Sequence, residues 1–255
     1  MTFLASLALA TSATAAPRVV GDLPRKSPAF EEIAGVEAEY GVVRTQDGAR
    51  LRSIVTRPAG ATGRLPAIYY VQPLSCDTVE AVEAGGWSEM LKRLATESGR
   101  AFIRVEKSGV GDSQGPTCRA LDYETELAHH GEAAEQLARH PWVDGGKVVL
   151  YGASMGARMA PALAAKRPYQ GVVVWGGGGA TWFQRQVEFQ RRAHSAKGLS
   201  GLAQKSNQAD AIYAAWLLEG RRPDPATDAW KALTGTHADG QFGRSFAWHE
   251  QAQKQ

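Results

Sequence analysis

Apolar and polar positions along the chain change period several times, and the changes mark out elements. Residues 36–44 and 50–57 read as two strands joined by the turn Gln46-Asp47-Gly48, a hairpin signal. Residues 67–71 form a short apolar run bounded by prolines, which suits a buried strand. Trp87, Met90, Leu91 and Leu94 recur at helical spacing, predicting a helix over 87–96. A strand follows at 101–105, then a long polar-faced helix over 122–140 with Leu127, Ala134 and Leu137 among its apolar residues. Residues 148–151 are a buried strand, 155–166 the helix directly after it, and 172–175 a further strand ending in the glycines of 176–179. A hairpin followed by β-α-β-α-β predicts an α/β fold: a mostly parallel sheet of about six strands with helices on both faces. Beyond Ala180 the character changes. Residues 182–194, 207–218 and 224–233 look helical and no β-rich run follows, so a core over 17–180 and a helical cap segment over 181–255 are expected.

Composition narrows the function classes. The 255 residues carry 29 basic and 26 acidic side chains, a net charge of +3, and the basic residues are scattered apart from doublets such as Arg191-Arg192 and Arg221-Arg222. That distribution argues against a nucleic-acid or membrane-surface role. At the N-terminus, the apolar run of residues 3–10 precedes Ala13-Thr14-Ala15, small residues placed as at a cleavage site. Residues 1–16 are therefore expected to be a signal peptide and the protein exported, and the run is too short to span a bilayer. Two cysteines, Cys76 and Cys118, are too few for a disulfide scaffold and lack metal-ligand spacing. No metal or organic cofactor is implied.

The chemistry centres on Gly152-Ala153-Ser154-Met155-Gly156, a G-x-S-x-G sequence. Its glycines permit a sharp strand-to-helix turn that a β-carbon would obstruct. Such a turn lifts a serine oxygen clear of the sheet and places the next N–H beside it. The context agrees: Val148-Val149-Leu150-Tyr151 precedes it as a strand, and an alanine-rich helix follows.

Two further loops matter. Gln72-Pro73-Leu74-Ser75 follows the strand at 67–71, and Glu106-Lys107-Ser108-Gly109-Val110-Gly111-Asp112-Ser113-Gln114-Gly115 follows the strand at 101–105. The second loop is similar to the R-G-x-G-x-S-x-G loop after strand four of many α/β-hydrolases. With the G-x-S-x-G turn and the order of elements, the chain resembles that superfamily from about Val36 to Trp175, and within it a group of exported bacterial esterases and dienelactone-hydrolase-like proteins. A dinucleotide site at Gly109 and Gly111 is disfavoured, because the spacing is G-x-G-x-x-x-G, Pro116 intervenes and no helix opens there.

The resemblance implies roles. Ser154 would be the catalytic nucleophile, Gly152 and Gly156 would shape its turn, and the oxyanion-hole donors would be the N–H groups of Met155 and Leu74. Pro73 cannot donate, so the hole depends on Leu74 being well aimed. In the superfamily the two loops lie side by side, so the resemblance also implies a Cys76–Cys118 disulfide across the rim of the site.

A serine hydrolase needs a base and an acid that orients it, and in this superfamily both follow the serine, after strands seven and eight. Neither is assigned here. His129, His130 and His140 precede Ser154 and are expected on or near one helix, solvated rather than catalytic. His194 sits among arginines, and His237 and His249 do not follow a predicted strand. The expectation is a chain that stops before the family's last two strands, with the segment from Gly243 leading toward strand seven and residues 172–175 left as an apolar edge. The aromatic residues Trp182, Phe183, Phe189, Trp216 and Trp230 fit either a pocket roof or ordinary packing faces, with packing favoured. Two functions follow: hydrolysis of a small-molecule carboxylic ester through an acyl-enzyme on Ser154, or a non-catalytic exported binding protein on the same fold.

Overall fold

The structure, a computed structural model, describes residues 16–177, 240–241 and 244–254, together with scattered positions between 181 and 228. The hairpin opens the main sheet: β2 (Val36–Arg44) and β3 (Arg50–Pro58) pair antiparallel from Val36↔Pro58 to Arg44↔Arg50. Ahead of it, within a stretch whose polarity predicts no element, β1 (Arg18–Val19) adds a short parallel edge against β2. Then come β4 (Leu65–Val71), α1 (Gly86–Glu97), β5 (Ala101–Val105), α2 (Tyr123–Leu137), β6 (Val143–Ala153), α3 (Gly156–Ala164) and β7 (Gly171–Trp175). The strand order is β1-β2-β3-β5-β4-β6-β7, parallel at every pairing except β2–β3 and β3–β5.

The central strands are buried on both faces, which is why β4, β5 and the end of β6 are largely apolar runs. Successive residues alternate between two cores. Tyr40, Ile54, Tyr70 and Phe102 point to one side and meet Leu91 and Ala95 of α1. Val43, Val55, Tyr69, Ile103 and Leu150 point to the other and meet α2 and α3 through Leu127, Ala134, Met159 and Leu163. Every residue of β5, in the centre, is buried. Helix α2 begins where Asp122 caps the Thr125 N–H at 2.7 Å.

The histidines on and just after α2 differ from expectation. His129, His130 and His140 are buried, because the chain turns them toward the sheet and its hairpin turn, where each finds a partner. His129 Nε2 lies 2.9 Å from Asp47 Oδ2, His140 Nε2 3.1 Å from Glu39 Oε1, and His130 Nδ1 3.2 Å from the Tyr69 hydroxyl.

Within the segment expected to be helical, β8 (Gly240–Gln241) pairs with β9 (Arg244–Ser245) over two residues, and the helix α4 (Phe246–Lys254) follows. Helix α4 packs on α2: Trp248 meets Tyr123 edge-on at 5.6 Å, and Gln251 Oε1 accepts the Glu124 N–H at 3.0 Å. Trp182 and Trp216 are buried in the same core as α2 and α3, the packing role favoured above, and Trp248 is buried with them. Phe183, Phe189 and Trp230 lie outside the described residues.

Strand β7 is the apolar edge. Val172, Val173, Val174 and Trp175 are 38%, 50%, 50% and 59% exposed, and only β6 pairs with β7 among the described residues. An unpaired apolar strand is a template for intermolecular pairing. Replacing Val173 by Lys is therefore expected to lower self-association at raised concentration, read by light scattering, with the thermal midpoint unchanged. Equal scattering from both proteins would dissociate the edge from any association.

Burial, reinforced by the charges of Lys107 and His129, pushes the His130 imidazole down to about 3 from an ordinary 6.5. The native state then binds fewer protons than the unfolded chain between those values. This contribution to stability is complete above 6.5 and is lost as the pH falls toward 3. The urea midpoint is expected to drop between about pH 7 and about pH 4.5, and to drop less in His130→Gln. An identical drop in the variant would assign the acid sensitivity elsewhere.

Candidate active site

The site is built where β6 turns into α3. Ser154 has φ 53°, the left-handed region, and is the one non-glycine residue there among those described. A serine held in that conformation is strained, and persists because the surroundings over-determine it. The Ser154 N–H donates to the Trp175 carbonyl at 2.8 Å, tying the turn to the end of β7, and Ala157 N returns to the Ser154 carbonyl at 3.1 Å. The flanking glycines are required by proximity. A β-carbon on Gly156 would sit 1.9 Å from the Val71 carbonyl oxygen, and one on Gly152 would sit 2.2 Å from the Gly156 oxygen. Residues 152, 153, 155 and 156 are buried while Ser154 is half-exposed, so the turn presents a single side chain.

The Met155 N–H stands at the start of α3 and has no acceptor among the described residues. It lies at the positive end of the helix dipole, where negative charge is favoured. Across from it runs the loop after β4. Val71 pairs with Gly152 in the sheet, so the residues just beyond it, Gln72 to Ser75, lie alongside the serine turn. Gln72 is anchored by its Nε2 donating to the Val105 carbonyl at 2.8 Å, and Leu74 packs against the core that contains Met155. The Leu74 N–H is likewise without an acceptor among the described residues. The expected nucleophile and the two expected donors are thus set on adjacent loops of one sheet edge.

The rim is closed covalently. Cys76 and Cys118 form a disulfide with a Cα–Cα distance of 5.9 Å, joining the loop after β4 to the one after β5. Arg244 lies beneath it, fully buried, donating from Nη1 to the Cys118 carbonyl at 2.9 Å and to Cys118 Sγ at 2.8 Å. Burial pushes this guanidinium down to about 9.

The glycine-rich loop after β5 is a structural turn. Asp112 accepts from buried Arg52 at 2.9 Å and from Arg25 at 2.9 Å, which staples the N-terminal segment to the sheet. Glu106, at its start, is buried beneath Gly111 and accepts from the Thr78 hydroxyl and the Val79 N–H. Burial outweighs those bonds and pushes its carboxyl up to about 7.

No general base reaches the serine among the described residues: Ser154 Oγ has no hydrogen-bond partner there. His129, His130 and His140 are held by Asp47, Tyr69 and Glu39 on the α2 side. His249, buried in α4, accepts at Nδ1 from Trp182 Nε1 at 3.2 Å and stacks on that ring. His194 and His237 lie outside the described residues. No cluster of metal-ligating side chains is present among the described residues. Nor is any described helix long and apolar enough to cross a membrane.

Three charged residues escaped the sequence reading: Lys107, Glu126 and Arg244. Lys107 Nζ donates to the carbonyls of Pro73, Leu74 and Ser75, and lies 2.9 Å from Glu126 Oε1. Burial, added to by the charge of Arg244, pushes its ammonium well below the usual lysine range, opposed by Asp77 and Glu106. A lysine in a loop carries no sequence sign that it is buried. Its one sequence cue is its place two residues after the wholly buried central strand β5.

The fold is similar to that of hypothetical protein PA2218 from Pseudomonas aeruginosa, with TM-score 0.54 and 15% identity over 91% of this chain and 76% of that one. Weaker likeness extends to the α/β hydrolase GrgF from Penicillium sp. sh18, with TM-score 0.46 and 19% identity over 63% of this chain and 55% of that one. It extends also to a dienelactone hydrolase-like promiscuous phosphotriesterase from metagenomic libraries, with TM-score 0.43 and 21% identity over 57% and 61% of the two chains. The chain thus spans 55% of GrgF and 61% of the phosphotriesterase. No protein of curated function matches it. A family model described as X-Pro dipeptidyl-peptidase (S15 family) matches residues 47–255, and with a parallel-sheet hydrolase fold and a G-x-S-x-G turn in place, the chain belongs to the S15 family of α/β hydrolases.

Proposed function

We propose that this chain is the nucleophile-bearing part of a serine hydrolase that opens small carboxylic esters through an acyl-enzyme on Ser154. The observation that carries the reading is the left-handed Ser154 between two glycines that no β-carbon could replace. Strain of this kind has a use only if the hydroxyl must stand clear of the sheet beside the N–H of the next residue. Ser154 Oγ adds to the ester carbonyl, and the charge that develops on the carbonyl oxygen is taken by the Met155 and Leu74 N–H groups. The alcohol leaves, and water then releases the acid from the acyl-serine.

Esters suit these residues better than amides. An alkoxide departs with less proton assistance than an amine, and no acid stands at Ser154 among the described residues. The family description names a dipeptidyl-peptidase acting on X-Pro, so a prolyl amide is the comparison substrate. A second reading, an exported binding protein on the hydrolase fold, draws on Ser154 Oγ having no hydrogen-bond partner among the described residues.

Labelling of the 255-residue protein by a fluorophosphonate is expected in the wild type and not in Ser154→Ala. A p-nitrophenyl ester should be turned over faster than an X-Pro anilide. Folded wild type that takes no label would remove the hydrolytic role for this chain and leave binding. Faster cleavage of the anilide would replace the ester by a peptide.

Export is part of the same proposal, supported by the apolar N-terminal run and by a disulfide, which persists in oxidising compartments. Thiol titration in denaturant is expected to find no free thiol in protein recovered from the periplasm or medium, and two after reduction. Two free thiols before reduction would contradict it.

A further inference from the structure

Lys107 lies just below the site, 4% exposed, and nothing in the proposed chemistry uses it. Its Nζ donates to three consecutive carbonyls, those of Pro73, Leu74 at 3.2 Å and Ser75 at 2.8 Å. Lysine offers three N–H groups and accepts nothing, so one ammonium can draw three backbone oxygens to a point. The consequence follows from peptide planarity. In a trans peptide the N–H of a residue points opposite to the carbonyl of the residue before it, and there are no cis bonds among the described residues. With the Pro73 carbonyl turned inward onto Lys107, the Leu74 N–H must point outward. The chain just before Leu74 borders the serine turn, where a β-carbon on Gly156 would lie 1.9 Å from the Val71 oxygen and 2.8 Å from that of Gln72.

The lysine is itself held. Its Nζ lies 2.9 Å from Glu126 Oε1, close but outside hydrogen-bond alignment. Glu126 Oε2 accepts from Trp248 Nε1 at 2.9 Å and is ion-paired with Arg244. Pro73 makes this support necessary: it removes the donor that would otherwise help anchor the loop, so the Leu74 peptide needs an outside constraint.

We propose that Lys107 is the positioning residue of the oxyanion hole, clamping the carbonyls of residues 73–75 so that the Leu74 N–H is aimed at the oxygen Ser154 creates. This rests on the roles proposed for Ser154 and Leu74, and the two ideas fail differently. Lys107→Met leaves the Glu126–Arg244 pair balanced, so it removes the clamp without stranding a charge.

The test compares the full-length wild type with Lys107→Met and Lys107→Arg by three measurements: the fluorophosphonate labelling rate at Ser154, the thermal midpoint, and the carbonyl ¹³C resonances of residues 73–75. Labelling is expected to slow about 10²–10³-fold in the Met variant, as for loss of one oxyanion donor, with the midpoint unchanged or raised. The Arg variant, which keeps the charge without the same three-donor geometry, should fall between the two. The Pro73 carbonyl should move upfield in the Met variant as its charged donor is lost. Labelling of the Met variant at the wild-type rate overturns the proposal while leaving Ser154 as nucleophile. Slowed labelling with unmoved carbonyls, or with a midpoint that falls in step, overturns it too and makes Lys107 a residue of general stability. If the Met variant does not fold, wild-type labelling by the Arg variant overturns it and slowed labelling at an unchanged midpoint supports it. A wild type that takes no label removes the Ser154 reading and with it the oxyanion role of Lys107.

Discussion

Everything at the candidate site depends on how closely α3 is pressed against β4. The start of the helix approaches the Val71 carbonyl so nearly that Gly156 has no room for a side chain, and Gly152 is excluded by Gly156 in turn. A chain that leaves β6 under that constraint must turn sharply, and Ser154 carries the positive φ of the turn. The same crowding sets the start of α3, with the Met155 N–H, alongside the loop of residues 72–75. Packing of backbone on backbone thus places the Ser154 side chain, and the Ser154 N–H bond to the Trp175 carbonyl holds it there.

Such a turn is stable only on a rigid foundation, and two kinds of reinforcement surround it. The sheet supplies the first, with central strands buried on both faces and Ser154 tied to the end of β7. The second is ionic and lies under the rim. Lys107, Glu126 and Arg244 are enclosed with the Cys76–Cys118 disulfide, and they link the loops after β4 and β5 to α2 and to the C-terminal segment. Buried charges of this kind contribute little net stability compared with apolar residues of the same size. Their value is directional: Lys107 donates to the carbonyls of residues 73–75 and Arg244 to that of Cys118, while Glu126 holds both cations. A second such network, Arg25 and Arg52 on Asp112 and Arg104 on Glu31, fastens the N-terminal segment, which is why a stretch without periodicity is nonetheless ordered.

The departures from the sequence reading share a cause. The polar face of α2 suggests solvent, yet His129, His130 and His140 are buried, since histidine carries an apolar ring and satisfies one polar atom with one partner. The seat of the helix after Gly243, with Trp248 and Ala252 on the flank of α2, is likewise set by a distant surface. Lys107, Glu126 and Arg244 are separated by 19 and 118 positions along the chain, and their meeting is a property of the fold alone.

What the sequence determined by itself is whatever is encoded over a short span. Alternation and apolar runs set the hairpin, the parallel strands and the helices between them. The glycines at 152 and 156 marked the turn, because a close approach leaves a local trace in the residues that permit it. The tertiary structure alone decided the rest: the burial of the histidines, the seating of α4, and the ammonium under the loop of residues 73–75. Those outcomes depend on charges and surfaces from distant segments meeting in a low-dielectric interior, where a single partner changes the cost of burial, and no window along the chain contains that partner.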